Sequence, residues 1–170
     1  MKLNTTTKKE KVYTHQGARA VRVSPELELR RSVMATMLWE DQFYEDGQTI
    51  ADRISSLVKK VKPELVAAMA VMARQDMKLR HIPLLLVREM ARLDSHKYLV
   101  ADTLKNVIQR PDELTEFLAI YWKNSKETLS AQVKKGLASA ISKFNEFQLA
   151  KYNISNNIKL RDILLSKKKN

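Results

Sequence analysis

Apolar residues in this chain recur every third or fourth position, the period of a helix with one buried face. In "SPELELRRSVMATMLW", Leu29, Val33 and Met37 follow one another at four-residue steps, with Met34 and Leu38 beside them. Ser24 suits the N-cap of that helix, Pro25 its first position and Glu26 its first turn. A second helix is expected from about Thr49 to Lys60, with Ile50, Ile54, Leu57 and Val58 inward. Pro63 opens a third, "PELVAAMAVMAR", apolar nearly all round and therefore expected to be central. The fourth, "RHIPLLLVREMARL", is entered at Pro83. "KYLVADTLKNVIQR" forms a fifth that stops at Pro111, where "PDELTEFLAIYWKN" begins a sixth. The seventh, "LSAQVKKGLASAISKF", spaces Leu129, Val133, Leu137 and Ile141 by four. Shorter helices are expected around Phe147–Tyr152 and Ile158–Leu165.

Connections between these segments are short, so successive helices are expected to pack antiparallel. "MAR" at Met72–Arg74 returns at Met90–Arg92, a faint echo of repetition. The fold class expected is therefore all-α, with HEAT-like antiparallel hairpins forming a partial solenoid. The expected organisation is an extended basic arm over residues 1–24, a helical repeat domain over 25–165, and a basic tail over 166–170 that frays.

Composition agrees with this pattern. Three glycines and four prolines in 170 residues are too few for the many turns of a sandwich or barrel. The absence of cysteine removes disulfides, thiol catalysis and the usual zinc-finger ligand sets, and fits a reducing compartment. No apolar run approaches the roughly 20 residues of a membrane span, and the first residues contain no secretory h-region. Cytoplasmic residence without membrane association is the expectation.

Charge is unevenly placed. Residues 1–24 hold six Lys/Arg against one acid, residues 25–122 fourteen against fifteen, and residues 123–170 eleven against three. A neutral middle with basic ends fits a located polyanion-binding surface, and it equally fits a cationic protein with solvated Lys-rich tails.

The stretch "WEDQFYEDG" gathers Glu40, Asp41, Glu45 and Asp46 around Trp39, Phe43 and Tyr44. An EF-hand register set on Gly47 would need oxygen ligands at Gln42, Tyr44, Asp46 and Arg53, which excludes calcium on that pattern. The carboxylates then read either as an acid/base pair or as the capped joint between two helices, and the joint is favoured. His15, His81 and His96 lack partners at i+3 or i+4, so no metal site is expected. With no glycine-rich phosphate loop and no nucleophile elbow, the expectation is a protein that is not an enzyme and carries no cofactor.

Basic spacing is more informative. Lys135, Ser139 and Lys143 fall at i, i+4 and i+8, opposite the Leu137/Ile141 stripe, with Lys134 beside them. Lys151, Lys159 and Arg161 follow, and Tyr152 lies next to Lys151. This pattern suits a phosphate-tracking surface with a stacking aromatic, or an ordinary solvated helix face.

"THQGARAVRVSPELELRRSVMATMLWEDQFYEDG", followed by "RHIPLLLVREMAR" and "LASAISKFNEFQLAKYN", resembles the N-terminal half of bacterial TROVE modules. That module is found in the Ro autoantigen and its bacterial relatives. The resemblance runs from His15 to about Leu165 and implies a HEAT-like solenoid that bends into a ring in complete members. It implies an RNA scaffold that binds small noncoding Y RNAs outside the ring and the 3′ ends of misfolded RNAs near its cavity. "WEDQFYEDG" is then the turn between the opening helices. The family's Y RNA lysine carries over to Lys151, whereas its histidine after the "LRDILL" helix is replaced here by "LSKKKN". A complete module is longer and precedes a von Willebrand A domain with a metal loop, so an incomplete module is expected.

Phosphate contacts are expected from Lys134, Lys135, Lys143, Lys151 and Arg161, with Arg80 and His81 at a cavity-side helix start. The expected partner is small noncoding or misfolded RNA. The alternative is an assembly scaffold that self-associates or pairs with a second chain to complete the ring.

Overall fold

The computed structural model describes residues 23–35, 48–122 and 130–154, together with Leu160 and Ile163. The described residues are helical and contain no strand. The first helix, α1 (Pro25–Ala35), starts where the sequence places it. The Leu27 N–H donates to Ser24 Oγ at 3.2 Å, satisfying one of the first-turn donors that no helical carbonyl can reach. Its buried face is Leu29, Ser32 and Val33, while Met34 points outward. The expected members Met37 and Leu38, like "WEDQFYEDG" itself, lie outside the described residues.

Helix α2 (Gln48–Val58) buries Ile54, Leu57 and Val58. Helix α3 (Pro63–Gln75) starts at its proline, which has no N–H to leave orphaned. It ends through Lys78, held at a φ of 57°, which lets the Leu79 N–H return to the Ala73 carbonyl at 2.9 Å. Helix α4 (His81–Ala91) begins two residues before Pro83, leaving that proline in the first turn, where its missing donor costs nothing.

The central helix is α4 and not α3. Leu65 and Met72 of α3 face solvent, whereas Ile82 through Val87 of α4 are buried without a break. The physical reason is coverage: α4 is packed on by α2, α3 and a later helix, α5 (Val100–Val107), with no residue exposed, whereas α3 keeps one face open to solvent. Burying each such Leu, Ile or Val stabilises the fold by about 1.5–3 kcal/mol before entropy is counted.

A 3-10 turn (Lys97–Leu99) leads into α5 (Val100–Val107). Helix α5 stops three residues short of the residue preceding Pro111, with Ile108 already extended. Helix α6 (Asp112–Glu116) then widens into a π-helical turn (Phe117–Tyr121), closed by the Trp122 N–H on the Phe117 carbonyl. The last described helices are α7 (Ala131–Ile141) and α8 (Glu146–Lys151). Beyond them Ile154, Leu160 and Ile163 are buried.

Cross-contacts fix the helix directions. Tyr98 meets Glu64 and His96 meets Val61 at the starts of α5 and α3, and Arg74 in the last turn of α3 meets Glu113 beyond the end of α5. Hence α3 and α5 run the same way. A Cβ on Gly136 of α7 would lie 3.0 Å from Leu104 Cβ and 3.1 Å from the Ala101 Cα and carbonyl oxygen. Further along, Lys143 meets the carbonyls of Lys105 and Ile108, so α7 runs parallel to α5. The connecting turns after α3, α5 and α7 therefore share one end of the molecule. The turns preceding α3 and α5 share the other.

Two buried polar clasps hold this arrangement. The His96 ring, 2% exposed, donates from Nε2 to the Val61 carbonyl at 2.9 Å, which leaves Nδ1 to accept the Ser95 hydroxyl at 2.7 Å. Arg74 and Glu113 form a 2.6 Å ion pair with side chains 10% and 2% exposed. The second Glu113 oxygen accepts the Gln109 and Arg110 N–H groups at 2.8 and 2.9 Å.

Candidate nucleic-acid interface

Helix α7 supplies the basic face that its period implies. Ser130 caps it, accepting the Val133 N–H at 3.3 Å. Val133, Gly136, Leu137, Ala140 and Ile141 turn inward, which leaves Lys134 and Lys135 exposed.

Lys143 does not continue that face. The helix ends at Ile141, and the chain turns so that the Lys143 ammonium donates to the Lys105 carbonyl at 2.5 Å and to the Ile108 carbonyl. These oxygens belong to the last turn of α5 and the residue after it, where helical carbonyls lack partners and a cation is favoured. Partial burial pushes the Lys143 pKa down. The nearby Glu113 carboxylate opposes that shift, while Lys105 and Arg74 add to it. Its position is that of a helix cap, and a phosphate would have to compete with two carbonyls for it.

Helix α8 presents a different surface. Asn145 and Gln148 cap it reciprocally, at 2.8 and 2.9 Å, and none of its residues is fully buried. Phe147 and Lys151 share a face at i, i+4 spacing, and Phe147 is 77% exposed. The Lys151 ammonium lies 5.8 Å from the Tyr152 ring centroid, within cation–π range, and Tyr152 is itself exposed. Asn153 then takes a φ of 60°, a conformation asparagine tolerates, and returns the chain to the core at Ile154.

The end of the molecule shared by the turns after α3, α5 and α7 brings further cations to this surface. Lys105 and Arg110 are exposed there, and Asp112 pairs with Arg110 at 2.6 Å. Tyr152 is near enough to Arg110 to contribute to holding that guanidinium protonated, after the larger effect of Asp112. Arg80 and His81 lie at the start of α4 on the same end. Arg80 is about half exposed and pairs with Glu116 at 2.9 Å, while His81 is half-buried.

Of the residues singled out from sequence, Lys151, Lys143 and Arg80/His81 are thus brought to one end, while Lys134 and Lys135 lie further back along α7. Arg161 lies outside the described residues, as do the four carboxylates of "WEDQFYEDG". Sequence reading missed Lys105, Arg110 and Phe147. Periodicity relates residues within one helix, and these three sit on three different elements. Phe147 alone carried a local signal, its i, i+4 relation to Lys151.

Among the described residues, no three His, Asp or Glu side chains gather closely enough to hold a metal ion. No described helix is long and apolar enough to cross a membrane. No protein-family model matches this chain, and no curated protein or solved structure matches it.

Proposed function

We propose that this chain is an RNA-binding scaffold that takes small noncoding, Y-like or misfolded RNA through a basic helical surface. The observation that carries the reading is convergence. Lys105, Arg110 and Lys151, from three separate elements, face solvent at one end beside the exposed rings of Phe147 and Tyr152. Cations that track phosphates and aromatics that accept unstacked bases are the two components of sequence-tolerant single-strand binding. Lys134 and Lys135 extend the phosphate path along α7, and Arg161 is assigned to the same surface from sequence. Such a scaffold has no catalytic role and its setting is the cytoplasm.

The architecture belonging to this reading is a HEAT-like partial solenoid of the TROVE type. The common direction of α3, α5 and α7, with α4 packed against α3 and α5, supports it. Repeating hairpins would place every second helix in such a row.

A titration with a structured small RNA and with a DNA duplex of equal length, each at two salt concentrations, tests the function. RNA-preferring affinity that falls with a log–log slope of about 0.7 per phosphate contact is expected on single-stranded segments. Affinity that stays level as salt rises, or no RNA binding at low salt, refutes it.

A second reading, an assembly scaffold that pairs with another chain, is favoured by Leu65 and Met72, exposed seven residues apart on one face of α3. Sedimentation separates the two. A stable dimer or larger ring supports assembly, and a monomer at high protein concentration argues against it.

A further inference from the structure

The basic surface described above is not the only one. Lys59, Lys60 and Lys62 occupy the turn between α2 and α3, all three exposed. None of the ion pairs among the described residues takes up any of them. The other cations at that end are partly neutralised: Lys97 pairs with Asp94 at 3.3 Å, and Arg92 lies 4.0 Å from Glu89. Lys105, in the last turn of α5, and Lys151, the last residue of α8, lie toward the opposite end, likewise outside those ion pairs.

The two patches are electrostatically separate. Tyr98 meets Glu64 near the starts of the parallel helices α5 and α3, and Lys105 follows seven residues later, so it lies about 10 Å further along the axis than the Lys59/Lys60/Lys62 turn that precedes Glu64. Exposed charges are screened over about 8 Å at physiological ionic strength, so more than one screening length lies between them. Down α3 from that turn as far as Met72, the exposed residues are Glu64, whose carboxylate lies near Lys62, then Leu65, Ala68 and Met72. The next helix in the row exposes Asp102 before Lys105. A phosphate backbone laid from one patch to the other would cross apolar and acidic surface with no cation to hold it. Lys134 and Lys135 do not close this gap, because α5 lies between α7 and α3.

We propose that the chain is bivalent for RNA: the Lys59/Lys60/Lys62 turn holds one segment and the Lys105/Lys151 end holds another, so that one molecule bridges two RNA segments. The proposal rests on the RNA-binding reading and adds to it a second contact surface and a tethering activity. Each patch alone makes few phosphate contacts, whereas two segments of one RNA held together gain from effective concentration.

The test uses the full chain and two unstructured RNA oligonucleotides of equal length, one with a donor dye and one with an acceptor. Energy transfer should rise as protein is added and fall again at excess protein, when each molecule holds a single strand. The variant Lys59→Glu/Lys60→Glu/Lys62→Glu and the variant Lys105→Glu/Lys151→Glu should each still bind one strand, at several-fold lower affinity, and give no transfer. If the unmodified chain binds RNA without transfer at any ratio, bridging is wrong and the RNA-binding reading stands. If it binds neither strand at low salt, both fall together. Transfer restored by mixing the two variants would mean that paired protein copies make the bridge, which overturns bivalence of the single chain.

Discussion

Glu113→Gln is the substitution that most directly probes how the end of the molecule beneath the candidate interface is held. Glu113 is almost wholly buried, yet its two oxygens meet an arginine from α3 and two backbone N–H groups from the α5–α6 turn. Glutamine keeps the volume and one carbonyl oxygen, which can still accept from Gln109 and Arg110. It also turns an amide toward Arg74 and leaves that guanidinium charged, 10% exposed and without its partner. Removing one member of a buried pair costs about 3–5 kcal/mol, because the remaining charge stays desolvated. We expect about 3 kcal/mol here, since the backbone contacts survive. Arg74→Met should cost less, about 2 kcal/mol, for two reasons. The orphaned carboxylate keeps its two N–H donors, and Arg74 Nε is buried without a hydrogen-bond partner even in the native pair. Urea unfolding followed by circular dichroism is the assay. With a slope of about 1–3 kcal/mol per molar urea, a 3 kcal/mol loss moves the midpoint by about 1–3 M. The double variant Arg74→Met/Glu113→Gln should lose less than the sum of the single losses, with a coupling of at least about 1 kcal/mol. A cost below about 1 kcal/mol for Glu113→Gln, or strict additivity in the double variant, would refute the clasp.

Three further outcomes are expected. Lys78→Gly should stabilise the chain by about 0.5–1 kcal/mol, because a left-handed backbone costs a side-chain-bearing residue about 1–2 kcal/mol and glycine loses some of that gain to unfolded-state entropy; thermal unfolding that shows no gain would contradict it. Gly136→Val should destabilise by about 2 kcal/mol or more, since the branched side chain meets the Ala101 backbone, which cannot yield as a flexible side chain would; denaturant unfolding reads this, and a neutral effect would mean α5 and α7 can separate. The Tyr98 hydroxyl donates to Glu64, and that bond raises the tyrosine pKa above its ordinary value of 10.0 while lowering that of Glu64 below 4.5. The bond therefore stabilises the fold fully between the unfolded carboxylate and phenol values, and is lost as pH falls through the folded Glu64 value or rises through the folded Tyr98 value. Phenolate absorbance should show one tyrosine titrating earlier in Glu64→Gln than in the unmodified chain, and identical curves would remove the bond.

Helix starts and buried stripes were legible because they depend on neighbours within a turn or two. Ser24, Pro25 and Pro63 mark helix starts through groups no more than four residues away. Val133, Leu137 and Ile141 are inward because a 3.6-residue period puts them on one face. The same reasoning extended the α7 face to Lys143 and failed there. Nothing within a turn announces that the helix ends at Ile141, or that an ammonium 35 residues away in sequence will cap α5. Position within the core misled in a similar way. Small and apolar residues all round α3 suggested a central helix, whereas centrality depends on whether neighbours cover every face, and α3 leaves Leu65 and Met72 exposed.

Sequence alone therefore determined the all-helical class, most helix starts and the inward faces, all of them consequences of local hydrogen bonding and period. Only the tertiary structure decided that α3, α5 and α7 run in one direction, that Arg74 closes on Glu113 39 positions away, and that Tyr152, with Lys151 against its ring, comes near Arg110. Those outcomes follow from packing between segments distant in the chain. Such packing turns on side-chain volume at crossings like Gly136 against Ala101, where a single methyl decides how closely two helices approach.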